Sequence, residues 1–426
     1  MGILKPYCSH ISRKGGQNMN TLFVGIDISS TKNVVCFMDG SGNRLANFSV
    51  DNNKKGAKQL ILSIIEYMEK LCYTKLSIGL EATSIYGDLL IYELRQNSRL
   101  SNFILSIHLL NPLQVNRFKK IYPDLQKNDF IDAFVIADHL RFGRITDAIY
   151  HDDYRYKALQ LLTRARFSAV KNLIKEKQRF NNYLFIKCSS LKQKSPISPT
   201  SATMYALVEA FDSVDDIVYA SLEDIAAFVD KHSRSHFSNS KTIATAIKQA
   251  ADMSYHLPKT VNNSINQAIA ISLASIRALE KQIKMLDKAI EENFRVIPNT
   301  LTSIPGIGAV YSAGIIAELG NVNRFHSQAS IAKFAGLVWT QYQSGNFEAE
   351  NTHLISGGNR SLRYYLVEAA NSVRRCDPEF NRYYKIKYNE VNKNNHKRAI
   401  VLTARKLVRL VFRLLKDNRL YKVPEL

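Results

Sequence analysis

The stretch that most constrains this chain is Leu22–Asp27, which reads Leu-Phe-Val-Gly-Ile-Asp and runs on through Ile28, Ser29, Ser30, Thr31 and Lys32. An apolar run that stops on a carboxylate beside a glycine is the pattern of a buried strand holding Asp27 at its tip. A second apolar run, Asn33 to Met38, ends in Asp39-Gly40-Ser41-Gly42-Asn43. That is a strong turn signal, so the two runs are expected to pair as a hairpin. Taken alone, Asp27 has two readings: a cap for the following turn, or a group with chemical work at the strand end.

The pattern repeats downstream. A third strand is expected from Asn43 to about Val50, then a basic amphipathic helix near Lys54–Leu71. Lys75-Leu76-Ser77-Ile78-Gly79-Leu80-Glu81 is again a β run that stops on a carboxylate, with Tyr86 and Gly87 opening a helix through Arg95. Phe103–Leu110 reads as another strand, ended by Asn111-Pro112, and Lys127-Asn128-Asp129-Phe130-Ile131-Asp132-Ala133 leads into a helix, Phe134 to Phe142. Strands alternating with helices imply an α/β sheet with an antiparallel hairpin at its start. Asp129 and Asp132, three apart, leave one face of a helix. Their plain reading is a solvated helix start, where acids suit the dipole. The sharper reading adds Asp27 and Glu81 and brings four acids to one edge of the sheet. Four oxygen donors without His or Cys suit Mg²⁺ or Mn²⁺ rather than zinc, and such a cluster supports two-metal phosphodiester chemistry.

Charge narrows the partner. The 426 residues carry 58 Lys+Arg against 37 Asp+Glu, a net +21, which favours a polyanion, either nucleic acid or an anionic membrane surface. No apolar stretch reaches the ~18 to 20 residues needed to span a bilayer, and the first twenty residues lack the apolar core of a signal peptide. Residues 1–18, ahead of Met19, read as a disordered extension or an upstream start. The five cysteines, Cys8, Cys36, Cys72, Cys188 and Cys376, are scattered; they fit reduced thiols in a cytoplasm and offer no zinc spacing. Nucleic acid is the expected partner, and no membrane.

Beyond about Tyr154 the chain turns helical. A Ser/Pro-rich break at Ser189–Thr203 reads as its clearest linker. From Val261 to Phe294, Ile269, Leu273, Ile276, Leu279, Ile283, Leu286 and Ile290 recur at three- and four-residue steps, which suits a coiled coil or a helix of an internal bundle. Ile304-Pro-Gly-Ile-Gly308 is the turn of a helix-hairpin-helix, in which Gly306 and Gly308 let backbone approach a phosphate; a tight ligand-free turn is the alternative. Ser344, beside Gly345, is by local chemistry an ordinary turn serine with no base fixed near it. Asn359, Arg360 and Arg363 open a further helix, and Tyr383, Tyr384, Lys387, Tyr388, Lys397 and Arg398 interleave bases with aromatics, a composition that fits phosphate contact and stacking.

Together these stretches resemble the DEDD-type transposases of bacterial insertion sequences, the group that includes Piv-type DNA invertases and bridge-RNA-guided recombinases. The N-terminal match is Gly25-Ile26-Asp27-Ile28-Ser29, Glu81-Ala82-Thr83 with Tyr86-Gly87, Asn111-Pro112, and Lys127-Asn128-Asp129-x-x-Asp132-Ala133. The C-terminal match is Ile304-Pro-Gly-Ile-Gly308, Phe334-Ala-Gly-Leu337, Ser344-Gly345, and Gly358-Asn359-x-x-Leu362-Arg363. Each motif is short, but their ordered combination is specific.

The resemblance implies an RNase H-like, RuvC-like mixed-sheet domain over 21–150, a helical and coiled-coil connector over 151–295, and a mainly helical transposase domain over 296–426, after a disordered 1–20. By position, Asp27, Glu81, Asp129 and Asp132 match the family's Mg²⁺-binding acids, and Ser344 matches the serine that attacks DNA. It also implies a structured guide RNA, donor and target DNA, homodimers or tetramers in which one subunit's metal domain serves another's serine, and action in the bacterial cytoplasm. The chain departs from the pattern at Trp339, where relatives have Pro nearby, and at Asn346-Phe-Glu-Ala-Glu-Asn351, which replaces a basic run. Two other classes fit the same residues: a junction-resolving nuclease that uses water, and a non-catalytic nucleic-acid-binding protein.

Overall fold

The computed structural model describes residues 20–82, 85–122, 128–143, 145, 154–233, 239–339, 343–344, 347–348, 354–355 and 357–422. The chain divides into two compact units, Met1–Asp153 with Asn323–His326, and Tyr154–Val322 with Ser327–Leu426.

In the first unit the elements run β1 (Thr21–Ile28), β2 (Lys32–Met38), β3 (Arg44–Asp51), α1 (Lys54–Lys70), β4 (Lys75–Glu81), α2 (Asp88–Gln96), β5 (Ile104–Leu110), α3 (Pro112–Lys119) and α4 (Asp129–Phe142). The sheet order is β3-β2-β1-β4-β5. β2 is antiparallel to both neighbours, whereas β1, β4 and β5 are parallel. This is the RNase H-like arrangement. The first two runs pair as expected, but the turn at Asp39–Asn43 joins β2 to β3, where the Asp39 carboxylate accepts from the Ser41 and Asn43 amides. The expected helix from Phe134 begins earlier, at Asp129, because Asn128 caps it by accepting from the Phe130 amide.

Period-two alternation divides the strands between two faces. Leu22, Val24 and Ile26 of β1 and Leu76, Ile78 and Leu80 of β4 join one apolar core with α1 and α2. Phe23 of β1 joins the other core, with α4. Gly25 and Asp27 share Phe23's face by parity, as Gly79 and Glu81 do on β4. Gly25 and Gly79 are register partners, and together they form a trough in which α4 lies. A Cβ on Gly25 would stand 2.1 Å from the Ala133 carbonyl oxygen and 2.4 Å from the Ala137 amide nitrogen. One on Gly79 would meet only the flexible Leu140 and Ile136 side chains, at 2.7 and 3.1 Å.

The second unit is helical: α5 (Tyr154–Lys187), α6 (Leu191–Lys194), α7 (Ala202–Ala210), α8 (Val214–Tyr219), α9 (Leu222–Ser233), α10 (Ser240–Asp252), α11 (Lys259–Phe294), α12 (Ala309–Leu319), α13 (Gln328–Ala335), α14 (Arg360–Cys376), α15 (Pro378–Asn389) and α16 (Asn395–Asp417), with a two-stranded ribbon of β6 (Gln343–Ser344) and β7 (Phe347–Glu348). α5 and α11 run antiparallel, tied by Arg166–Asp287, Lys177–Glu280 and Glu176–Ser272. The apolar stripe of α11 therefore packs within the chain. The Ser/Pro-rich stretch expected as a linker is a packed turn instead: Cys188, Leu191 and Ile197 are buried in the core shared by α5 and α7–α11. Its serines do local work, as Ser201 caps α7. Among the described residues, Cys36, Cys188 and Cys376 are free thiols. Among the described residues, no helix is long and apolar enough to cross a membrane.

The trough yields a test of the fold. Gly25→Ala forces β1 and α4 backbones apart and is expected to lower stability by about 3 kcal/mol. Gly79→Ala, which meets only side-chain tips, is expected to cost less. Denaturant unfolding of both variants measures the difference.

Candidate metal centre

β1 and β4 are parallel and in register, Ile26 against Leu80, so the next residues, Asp27 and Glu81, stand side by side at one edge of the sheet. The α4 helix lies over the same face with its N-terminus toward that edge, because Ala133 and Ala137 rest on Gly25. Its first turn carries Asp129 and Asp132. Carboxylate oxygens of Asp27, Asp129 and Asp132 lie within 4.8 Å of one another. Asp27, Glu81 and Asp132 are half-buried and Asp129 is exposed.

Electrostatics show how close the acids are. Burial, then the charges of Asp132 and Asp129, raise the Asp27 carboxyl above its ordinary value. Burial, then Asp27 and Asp132, do the same to Glu81. The fourth expected acid thus lies near Asp27 and Asp132, outside the group of three that come within 4.8 Å of one another. One cation opposes this trend. Lys119, the last residue of α3, donates from Nζ to Asp132 Oδ1, and its charge lowers both Asp27 and Glu81. Sequence reasoning does not reach Lys119. The signal was Asn111-Pro112, which caps and starts α3 and so returns its far end to the acids.

The donor set fits a hard divalent cation. It is all oxygen, gathered from three elements, and one of its four carboxylates, Asp132, holds the Lys119 ammonium. Mg²⁺ and Mn²⁺ take such donors. The residues that would hold the ion are Asp27, Asp129 and Asp132, with Glu81 beside them.

The other expected site residues lie in the second unit. Ser344 pairs through its backbone with Phe347 across the β6–β7 ribbon; residue 345 and residues 346 and 349–351 of the acidic stretch fall outside the described residues. Gly306 has φ +91° and backs onto α14, where a Cβ would stand 3.0 Å from the Ser372 carbonyl. Gly308 caps α12 with open space around it. Arg360 and Lys397 are exposed, and Arg398 pairs with Glu390 at 2.8 Å.

Asn359 and Arg363 are committed inward. Asn359 Oδ1 accepts from the Leu362 amide, capping α14, while its Nδ2 donates to Glu318 at 2.7 Å. The Glu318 side chain is fully buried, and it accepts a bidentate pair from Arg164 at 2.7 and 2.9 Å and a further bond from Gln160. Arg363 donates to the carbonyls of Ala335 and Gly357. The Gly358-Asn359-x-x-Leu362-Arg363 pattern thus has an architectural cause inside the second unit.

Two stability measurements follow. An acid with a raised folded value binds more protons folded than unfolded, so its contribution is full below the ordinary value and lost as pH rises through the raised one. Asp27→Asn and Glu81→Gln should therefore raise the metal-free unfolding midpoint by a few degrees at pH 7 to 8. The gain should vanish as pH falls toward the ordinary values of 3.8 and 4.5. Asn359→Ala removes a cap and one partner of a buried carboxylate, and is expected to destabilise by about 1–3 kcal/mol in chemical unfolding.

Comparison with known proteins places this geometry. Residues 24–186 match a transposase family of the DEDD, IS110 type, and residues 299–385 match the transposase family IS116/IS110/IS902. The chain is 25% identical to the insertion element IS116 uncharacterized 44.8 kDa protein of Streptomyces clavuligerus, over 72% of this chain and 75% of that protein. It is 30% identical to the insertion element IS110 uncharacterized 43.6 kDa protein of Streptomyces coelicolor, over 36% of this chain and 37% of that one. It is also 28% identical to the pilin gene-inverting protein of Moraxella lacunata, over 34% of this chain and 44% of that one. With both matched segments in order and an RNase H-like sheet carrying the acids, the chain belongs to the IS116/IS110/IS902 family of transposases, enzymes that cut and rejoin DNA.

Proposed function

We propose that this protein is a Mg²⁺- or Mn²⁺-dependent DNA transposase or site-specific recombinase with Asp27, Glu81, Asp129 and Asp132 as its metal site and Ser344 as its nucleophile. The observation that carries the reading is the meeting of Asp27 with Asp129 and Asp132 within 4.8 Å, in a chain whose matched segments are those of transposases. When bound there, divalent ions supply a Lewis acid to a scissile phosphate and stabilise the departing oxygen.

The chain's own residues do the rest. The carboxylates hold a fixed edge at which a phosphate can be oriented, since β1 and α4 are locked together by packing. The Ser344 hydroxyl attacks phosphorus: an Oγ–P bond forms as the phosphate's P–O bond to the leaving strand breaks, and the hydroxyl proton ends on the leaving strand's oxygen. One phosphodiester is thereby kept for rejoining. Ser344 lies inside the matched segment 299–385, which supports its role. The net +21 charge, with exposed Arg360 and Lys397 and the open turn at Gly308, supports phosphate contacts along the duplex. Gly306, Asn359, Arg363 and Arg398 then act on nucleic acid indirectly, by holding the helices that carry those groups. We take the functional particle to be a homodimer or tetramer, working in the cytoplasm with a structured guide RNA encoded by the same element.

Incubating the protein with DNA bearing the element's ends tests this. Asp27→Asn should cut cleavage by on the order of 10³-fold or more. Ser344→Ala should abolish the covalent protein–DNA adduct seen on denaturing gels. Cleavage that survives Ser344→Ala would point to a water-using nuclease, and an unaffected Asp27→Asn would leave a DNA-binding protein only. Guidance by RNA fails if ribonuclease-treated protein cuts element ends at the full rate.

A further inference from the structure

We propose that Lys119 is the resident counter-ion of the carboxylate centre, an ammonium that divalent ions must displace from Asp132 to bind. The inference rests on the reading of Asp27, Glu81, Asp129 and Asp132 as a metal site, and adds how that site is kept before metal arrives. Lys119 Nζ is hydrogen-bonded to Asp132 Oδ1, and the two side chains are only 24% and 31% exposed. Its charge acts on Asp27 and Glu81 as well, so one ammonium serves three of the four acids.

Its position is built rather than incidental. The neighbouring Phe118 stacks on His139 of α4 with ring centroids 4.7 Å apart. Three residues on, the Tyr122 hydroxyl donates to the buried Asp138 carboxylate, also of α4, which Arg141 Nε holds from the other side at 2.6 Å. These contacts clamp the end of α3 to the helix that carries Asp129 and Asp132. A long flexible side chain is thereby delivered to one carboxylate. Like charges confined at this spacing repel, and a tethered ammonium offsets that repulsion without filling the donor set. Divalent ions must then compete with it for Asp132, which makes metal loading weaker than four bare carboxylates would give.

Thermal unfolding of the full chain titrated with Mn²⁺ reads this directly. Lys119→Met should unfold at a lower temperature than wild type without metal, and reach half its Mn²⁺-induced shift at about tenfold lower Mn²⁺. Lys119→Arg, which retains the charge, should titrate as wild type does. If Lys119→Met does not fold without metal, Lys119→Gln, which keeps a hydrogen bond and loses the charge, reads the same shift. A half-saturation point that is unchanged or raised in the uncharged variants overturns the counter-ion role while leaving the metal site standing. Absence of any Mn²⁺ response in all the proteins, wild type included, overturns the metal site and this role together.

Discussion

The close approach of α4 to β1 and β4 is the constraint from which the rest follows. Two glycines in register, Gly25 and Gly79, leave a trough that α4 fills, with its backbone over Gly25 and with its Leu140 and Ile136 side chains over Gly79. A helix seated that deeply has its start fixed to within a fraction of a turn. Its first turn then falls beside the two strand tips, and Asp129 and Asp132 meet Asp27 with Glu81 alongside. The apolar cores on both faces of the sheet hold the strands, but the glycine pair sets where the acids converge.

That convergence opposes stability. Burial and mutual repulsion raise Asp27 and Glu81 together, and among the described residues Lys119 is the cation that lowers them. The chain handles a buried acid quite differently elsewhere. Glu318 is wholly enclosed, yet Arg164, Gln160 and Asn359 saturate both its oxygens. The two cases show that this sequence can neutralise a buried carboxylate when structure is all that is asked of it. At the sheet edge Lys119 offsets only part of the charge, as a site that receives cations requires.

Much of the first unit was legible in the amino-acid sequence. Strand tips ending in Asp27 and Glu81, and the Asp-x-x-Asp spacing at a helix start, are local patterns with local causes. Parity also places Asp27 opposite Val24 and Ile26, on the face of Phe23, without any tertiary information. Lys119 was not legible, because its partner is reached only through the packing of α3 on α4. Asn359 read as a nucleic-acid contact for a similar reason: an exposed-looking Gly-Asn-Arg gives no hint of a buried glutamate on another helix. The Ser189–Thr203 stretch misled in the opposite direction, since its serines and prolines mark turns while Leu191 and Ile197 between them enter the core.

Metal binding by the strand-tip and helix-start acids is the central claim, and a bound ion seen in place tests it most directly. Crystals of the full chain soaked in Mn²⁺ and measured at the manganese absorption edge should show anomalous density in direct contact with Asp27 and with Asp129 or Asp132. Ordered carboxylates at this edge with no such density, under Mn²⁺ concentrations that saturate any bound site, would contradict the account.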